Sequence, residues 1–140
     1  MAVRNIIRGD SYAIRRPFYT ITLVDENSNP FDLRGCTVRT TYKAIITSPT
    51  EDPSDTTAAI KHDIVINGSG TATTENGLHL VGAATAGVLE EWLTSTESRS
   101  LPTNTPLQSD VELTDQNGEV FTWTFTDTVI AQDAVTNRTT

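Results

Sequence analysis

Two histidines, one cysteine and a few clustered acids are the residues of this 140-residue chain from which chemistry could be built. A general acid or base has to sit beside a group that orients it. In AAIKHDIVI, residues 58–66, His62 and Asp63 are neighbours on a strand, so their side chains project to opposite faces and cannot form a dyad with each other. His79 lies between Leu78 and Leu80 in GLHLV, residues 77–81, and faces away from both. Paired carboxylates occur as Glu90-Glu91 and in the stretch holding Glu51, Asp52 and Asp55. Hydrolysis by two acids needs them across a cleft from one another, a placement that spacing along the chain does not set. DQNG, residues 115–118, has only the end of a calcium-loop signature, lacks the later Glu, and reads as a hairpin turn. Cys36 has no partner for an intrachain disulfide, and no Cys/His spacing resembles a zinc site. The expectation is a protein that is not an enzyme, with no catalytic, cofactor-binding or metal-binding residues.

One short motif raises a different question. Arg8-Gly9-Asp10 is best known as an adhesion signal, which would need an exposed loop facing animal cells. The alternative is a tight turn after a first strand from Val3 to Ile7. Gly9 reaches positive φ, Asp10 bonds its own backbone, and Arg8 pairs with Asp10 or with an acidic neighbouring subunit.

The elements that would position these residues are mostly strands. In FYTITLV, residues 18–24, Tyr19, Ile21 and Leu23 alternate with Phe18, Thr20, Thr22 and Val24. DENSNP ends that run with turn formers. In CTVRTTYKAII the set Cys36, Val38, Thr40, Tyr42, Ala44 alternates with the set Thr37, Arg39, Thr41, Lys43, and the charged set should face water. Residues 47–57 read as a surface loop or hairpin tip, with two prolines and three acids. Residues 58–66 are β-rich, NGSG at 67–70 is a turn, and 77–81 continues a meander. GAATAGVLEEWL, residues 82–93, fits either a single helical turn capped by Thr85 and followed by a strand, or a strand holding Val88, Glu90 and Trp92. Residues 94–106 read as a polar loop. Residues 109–125 form a hairpin around Asp115-Gln116-Asn117-Gly118. Its returning strand carries Phe121, Trp123 and Phe125 on one face, a stripe expected in the core. After a short Asp127-Thr128 connection, a last strand runs over 128–135. About seven to eight short strands and at most one short helix predict an all-β, antiparallel sandwich.

Composition agrees. Thr fills about a sixth of the positions, which suits half-buried pleated surfaces. A chain of this length buries roughly 68–70% of its unfolded surface, enough for one domain spanning 1–140, with residues 1–5 and 137–140 as extended or flexible ends. The net charge of −8 disfavours nucleic acid and anionic membranes as partners. Seven of the ten cations, Arg4, Arg8, Arg15, Arg16, Arg34, Arg39 and Lys43, lie in the first 43 residues. They make either a basic front for an acidic neighbour or a set of solvated strand faces. No apolar run approaches a signal peptide core or the ~18 residues of a membrane span, so synthesis in a cytoplasm and a soluble product are expected. The sequons at Asn67 and Asn137 would matter only in a secretory pathway.

Three phrases in order carry a resemblance: Ile6-Ile7-Arg8-Gly9-Asp10; the step Pro30-Phe31-Asp32-Leu33-Arg34-Gly35 into a second strand; and the closing SDVELTDQNGEVFT, residues 109–122, followed by a final strand and Asp133-Ala134-Val135-Thr136. Over about residues 6–136 the chain resembles the N-terminal domain of upper baseplate proteins of tailed bacteriophages. Its end departs by one residue from the D-V-T form of that family. The resemblance implies an immunoglobulin-like β-sandwich that assembles into the virion. It implies a tail, baseplate or collar subunit, made in the bacterial host cytoplasm, whose partners are other virion proteins and further copies of itself, and which could anchor fibres or receptor-binding proteins. In those relatives the domain precedes a long helix or fibre. The alternatives are a head decoration protein, or a carbohydrate- or cell-surface-binding module using Trp92, Trp123, Tyr12 and Tyr19. A small hydrolase built on the 51–55 acids and His62 is a third reading.

Overall fold

A computed structural model of the chain describes residues 3–44, 59–125 and 128–134. Ten strands are present there: β1 (Val3–Ile7), β2 (Tyr19–Thr22), β3 (Thr37–Ala44), β4 (Ile60–Ile66), β5 (Ala72–Asn76), β6 (Leu78–Leu80), β7 (Val88–Glu91), β8 (Leu107–Thr114), β9 (Val120–Thr124) and β10 (Thr128–Gln132). A 3-10 turn at Ala84–Ala86 and one short helix, α1 (Ser95–Arg99), complete the described elements. The expected 47–57 loop, Asp127 of the last connection and the 137–140 end lie outside the described residues.

The fold is all-β and sandwich-like. Seven strands form one sheet in the order β1-β10-β8-β3-β4-β5, with β9 also on β8, and β2-β7-β6 form a second. The long alternating runs become the centre of the larger sheet. β3 pairs antiparallel with β8 from Thr37↔Thr114 to Ala44↔Leu107, and with β4 on its other side. Its charged set faces outward as expected, where Arg39 lies 3.6 Å from Glu112.

Three expectations need correction. The pairing is not antiparallel throughout: β1 runs parallel to β10, from Val3↔Thr128 to Ile7↔Gln132. Among the described residues β10 meets β8 at Val129↔Leu107, its other edge takes β1, and the long chain between β1 and β10 imposes no hairpin sense. The strand count rises to ten partly because Ala72–Asn76, which has no apolar alternation to reveal it, forms β5. Finally, the polar stretch 94–106 contains α1, whose Thr94 side chain accepts from the Glu97 amide while the Glu97 carboxylate accepts from the Thr94 amide. This reciprocal cap makes a helix of five residues worthwhile where apolar periodicity gives no signal. Thr94→Ala is expected to cost about 1 kcal/mol, read from urea denaturation.

Residues 82–93 take the turn-then-strand form, but Thr85 does not cap the turn: Ala83 stands at its start with no side-chain bond. The inward residues of β7 are Leu89 and Glu91, with Val88 and Glu90 half-buried on the other side.

Between the layers lie two apolar clusters. The first joins Ile21, Leu23, Leu78 and Leu89 of the small-sheet side to Val38, Ile64, Val111 and Leu113 of the large sheet. The second gathers Ile6, Tyr42, Ile60, Leu107 and Val129 under Tyr12, Phe18, Leu93 and Leu101. Each fully buried aliphatic side chain contributes about 1.5–3 kcal/mol.

Candidate functional site

Three chain segments each step from one apolar cluster to the other through a polar residue: Val38-Thr40-Tyr42 on β3, Ile64-His62-Ile60 on β4, and Leu89-Glu91-Leu93 from β7 onward. Period two puts these polar side chains on the inner faces, and the registers align them into one belt between the clusters. Thr40↔His62 is a direct pair of β3 and β4, while Glu91 reaches across from the smaller sheet.

Glu91 is fully buried and is the hub of the belt. It accepts hydrogen bonds from the Thr40 hydroxyl at 2.7 Å and the Tyr42 hydroxyl at 2.6 Å, and its Oε2 meets His62 Nδ1 at 2.5 Å. The opposite nitrogen of His62, Nε2, lies 2.7 Å from Glu97 Oε2, so α1 is tied to the belt by the same residue that caps it. Both ring nitrogens face carboxylates, an arrangement that only the doubly protonated imidazolium satisfies as donor twice over. Burial works to lower the His62 pKa, but hydrogen bonds and charge from Glu91 and then Glu97 outweigh it and the net direction is up. Burial, then the Glu91 charge, pushes the Tyr42 phenol well above its ordinary value. Arg4 sits beside Tyr42, donates to the Phe18 carbonyl at 2.6 Å, and lies 3.9 Å above the Tyr19 ring.

The belt brings together residues that local spacing kept apart. His62 does not work with Asp63, in agreement with the opposite-faces argument; Asp63 accepts from Asn76 instead. Glu91 separates from Glu90, which accepts from the Trp92 indole. His62 on the Ile60/Ile64/Ile66 face was a legible signal of a buried polar group, but its partner 29 residues away was not. With both ring nitrogens engaged and the residue 2% exposed, His62 joins the sheets. His79 stacks on Trp92 at 3.5 Å and bonds Glu75 at 3.0 Å. Cys36 is buried against the Asp32 and Arg34 carbonyls, and burial pushes its thiol pKa up, away from a reactive thiolate. The acids of 51–55 lie outside the described residues.

The Arg8-Gly9-Asp10 turn is held from within. Gly9 has φ +88, and its amide donates to Ser98 Oγ at 2.8 Å, while that hydroxyl donates to the Asp10 carbonyl at 2.7 Å. Arg8 pairs with Asp133 and also donates to the Arg99 carbonyl, both at 2.6 Å. The Asp10 side chain pairs with Arg16 at 2.9 Å. The tripeptide thus docks α1 and the end of β10 instead of presenting a free loop. Much of the basic front is likewise paired within the chain, Arg34 with Asp32 included.

The aromatic stripe is half-buried rather than fully in the core. Phe31, Val120, Phe121 and Trp123 floor a surface groove of about 540 Å3 with Asp25 and Glu26 on its rim. Phe31 meets Phe121 and Trp123 edge to face at 5.1 and 5.4 Å, and the Trp123 indole donates to the Val24 carbonyl. The four aromatics of the glycan reading fall into separate groups: Tyr12 is buried against Phe18, Tyr19 lies on Phe125, Trp92 on His79, and Trp123 in the groove. Trp123→Ala is therefore expected to cost about 2 kcal/mol, short of the ~3–5 kcal/mol of a fully buried ring, as read by chemical denaturation.

No family model, no curated protein and no solved structure matches the chain.

Proposed function

We propose that the chain is a structural subunit of a tailed-bacteriophage virion, at the tail, baseplate or collar, where it assembles in many copies and can anchor fibres or receptor-binding proteins. The observation that carries this reading is a sandwich whose polar interior is committed to joining its layers while, among the described residues, its larger sheet stays open at the β5 edge. Among the described residues β5 has one strand partner, β4, and its Thr73, Thr74, Glu75 and Asn76 are exposed. An open edge of this kind is a ready pairing site for another chain, and a symmetric particle repeats such contacts. The ordered phrases at 6–10, 30–35 and 109–122 support the same reading.

Mass spectrometry of purified particles, with antibody labelling to locate the subunit, tests the proposal. The expected result is the chain in stoichiometric amount on the tail. Labelling of the head would favour a decoration protein, and absence from the particle would end the proposal. The glycan-binding alternative rests on the aromatic groove, and saturable quenching of Trp123 fluorescence by oligosaccharides would favour it.

A further inference from the structure

The groove has a counterpart on the same molecule. The turn Ala13-Ile14-Arg15-Arg16, closed by a bond from the Arg16 amide to the Ala13 carbonyl, lifts Ile14 into solvent at 76% exposure. Arg15 and Arg16 beside it are exposed as well. A large aliphatic residue at a loop tip, next to two guanidinium groups, would gain free energy by burial against a partner. The groove shows the complementary pattern: an apolar floor reaching the surface at Val120, 57% exposed, and an acidic rim of Asp25 and Glu26. An isoleucine side chain fits within 540 Å3 with room for the stems of its flanking arginines.

We propose that these two surfaces bind each other between copies: the Ile14 turn of one subunit seats in the Phe31/Val120/Trp123 groove of the next, with Arg15 and Arg16 against Asp25 and Glu26. The inference rests on the reading of the chain as an assembling subunit and names its contact.

The positions of the two surfaces exclude a self-contained contact. The turn precedes β2 and adjoins Tyr12 and Phe18 of the second cluster, whereas the groove follows β2 and borders the first. About eight residues of largely extended chain separate Arg16 from Val24, on the order of 25 Å. Knob and groove therefore sit at opposite ends of a strand and cannot meet within one subunit. A contact between two different patches is heterologous, and it repeats into a ring when the rotation closes or a filament when it does not. Arg16 already bonds Asp10 at 2.9 Å and lies over the Tyr12 ring, which holds the turn in place and reduces the ordering cost of docking.

The test uses the full chain and two surface variants, Ile14→Asp to spoil the knob and Val120→Asp to spoil the groove, each checked for an unchanged unfolding midpoint. In sedimentation velocity over a concentration series, the parent chain should form species larger than a dimer, weakened by salt. Each variant alone should lose association by about tenfold or more. An equimolar mixture of the two variants should regain a dimer and stop there, because only one intact knob and one intact groove remain per pair. The proposal is overturned by a parent chain that stays monomeric, by a variant that associates as the parent does, by a mixture that stays monomeric, or by Trp123 quenching that follows oligosaccharide instead of protein concentration. If particles contain the chain while the isolated chain stays monomeric, the contact fails and the virion reading stands.

Discussion

Glu91→Ala is expected to lower the free energy of unfolding by about 3–5 kcal/mol, the cost of removing one partner of a buried ion pair. The change strips the acceptor from the Thr40 and Tyr42 hydroxyls and leaves the His62 ring with charge facing an empty space in the interior. For a domain whose whole stability is on the order of 5–15 kcal/mol, that is a large share. Urea denaturation followed by tryptophan fluorescence measures it, and a loss below about 1 kcal/mol would mean that the belt is not fully formed in solution.

The same belt sets a pH dependence whose sign follows from its two titrating members. The His62 pKa is raised on folding, so its contribution is fully present below the unfolded histidine value of 6.5 and is lost as pH rises through the folded one. For Glu97, burial pulls the pKa up, but the Thr94 amide and then His62 pull it further down. Its contribution is present above the unfolded value of 4.5 and is lost as pH falls through the folded one. Stability from this pair should therefore be greatest between those unfolded values and decline on both sides. His62→Asn should remove the alkaline decline, which a series of unfolding midpoints from pH 4 to 9 would show.

Gly77→Ala carries the second large effect, about 3 kcal/mol or more. Gly77 has φ +78, where an L side chain costs roughly 1–2 kcal/mol, and a Cβ built there would stand 2.1 Å from His62 Cδ2. Overpacking of a filled interior adds about 1–3 kcal/mol, because the ring is held on both nitrogens and cannot move aside. The steric part should vanish when the ring is gone: in a His62→Ala background, Gly77→Ala should cost only the backbone part. A double-mutant cycle by denaturation reads that coupling, and additivity of the two changes would contradict the close approach.

The strands were legible wherever apolar residues alternated. β3, β4 and β8 declare themselves through Val38, Ile64, Val111 and Leu113, because one-sided burial imposes period two. β5 was not legible, since Ala72-Thr73-Thr74-Glu75-Asn76 is held by backbone pairing and carries almost nothing to bury. The α1 helix could have been found through Thr94-Ser95-Thr96-Glu97, a capping box that periodicity ignores. Of the polar belt, the sequence offered Thr40 and His62 on inward faces. The identity of their acceptor depended on how two sheets stack, which no local pattern encodes. The groove was half visible: the shared face of Phe121 and Trp123 was evident, but its incomplete cover followed from Phe31 arriving from a distant loop.

The parallel union of β1 with β10 fixes an order of events during synthesis. Its partners lie 125 positions apart, so β1 cannot be placed until β10 has been made. Until then the Ile6 side of the second cluster stays uncovered, and such distant pairing is slow to close. The Arg8-Gly9-Asp10 turn is completed only at that moment, when Asp133 arrives to meet Arg8. The seam between β1 and β10 is therefore the last part of the larger sheet to zip, and until it does a partly folded chain carries an unpaired β10 edge.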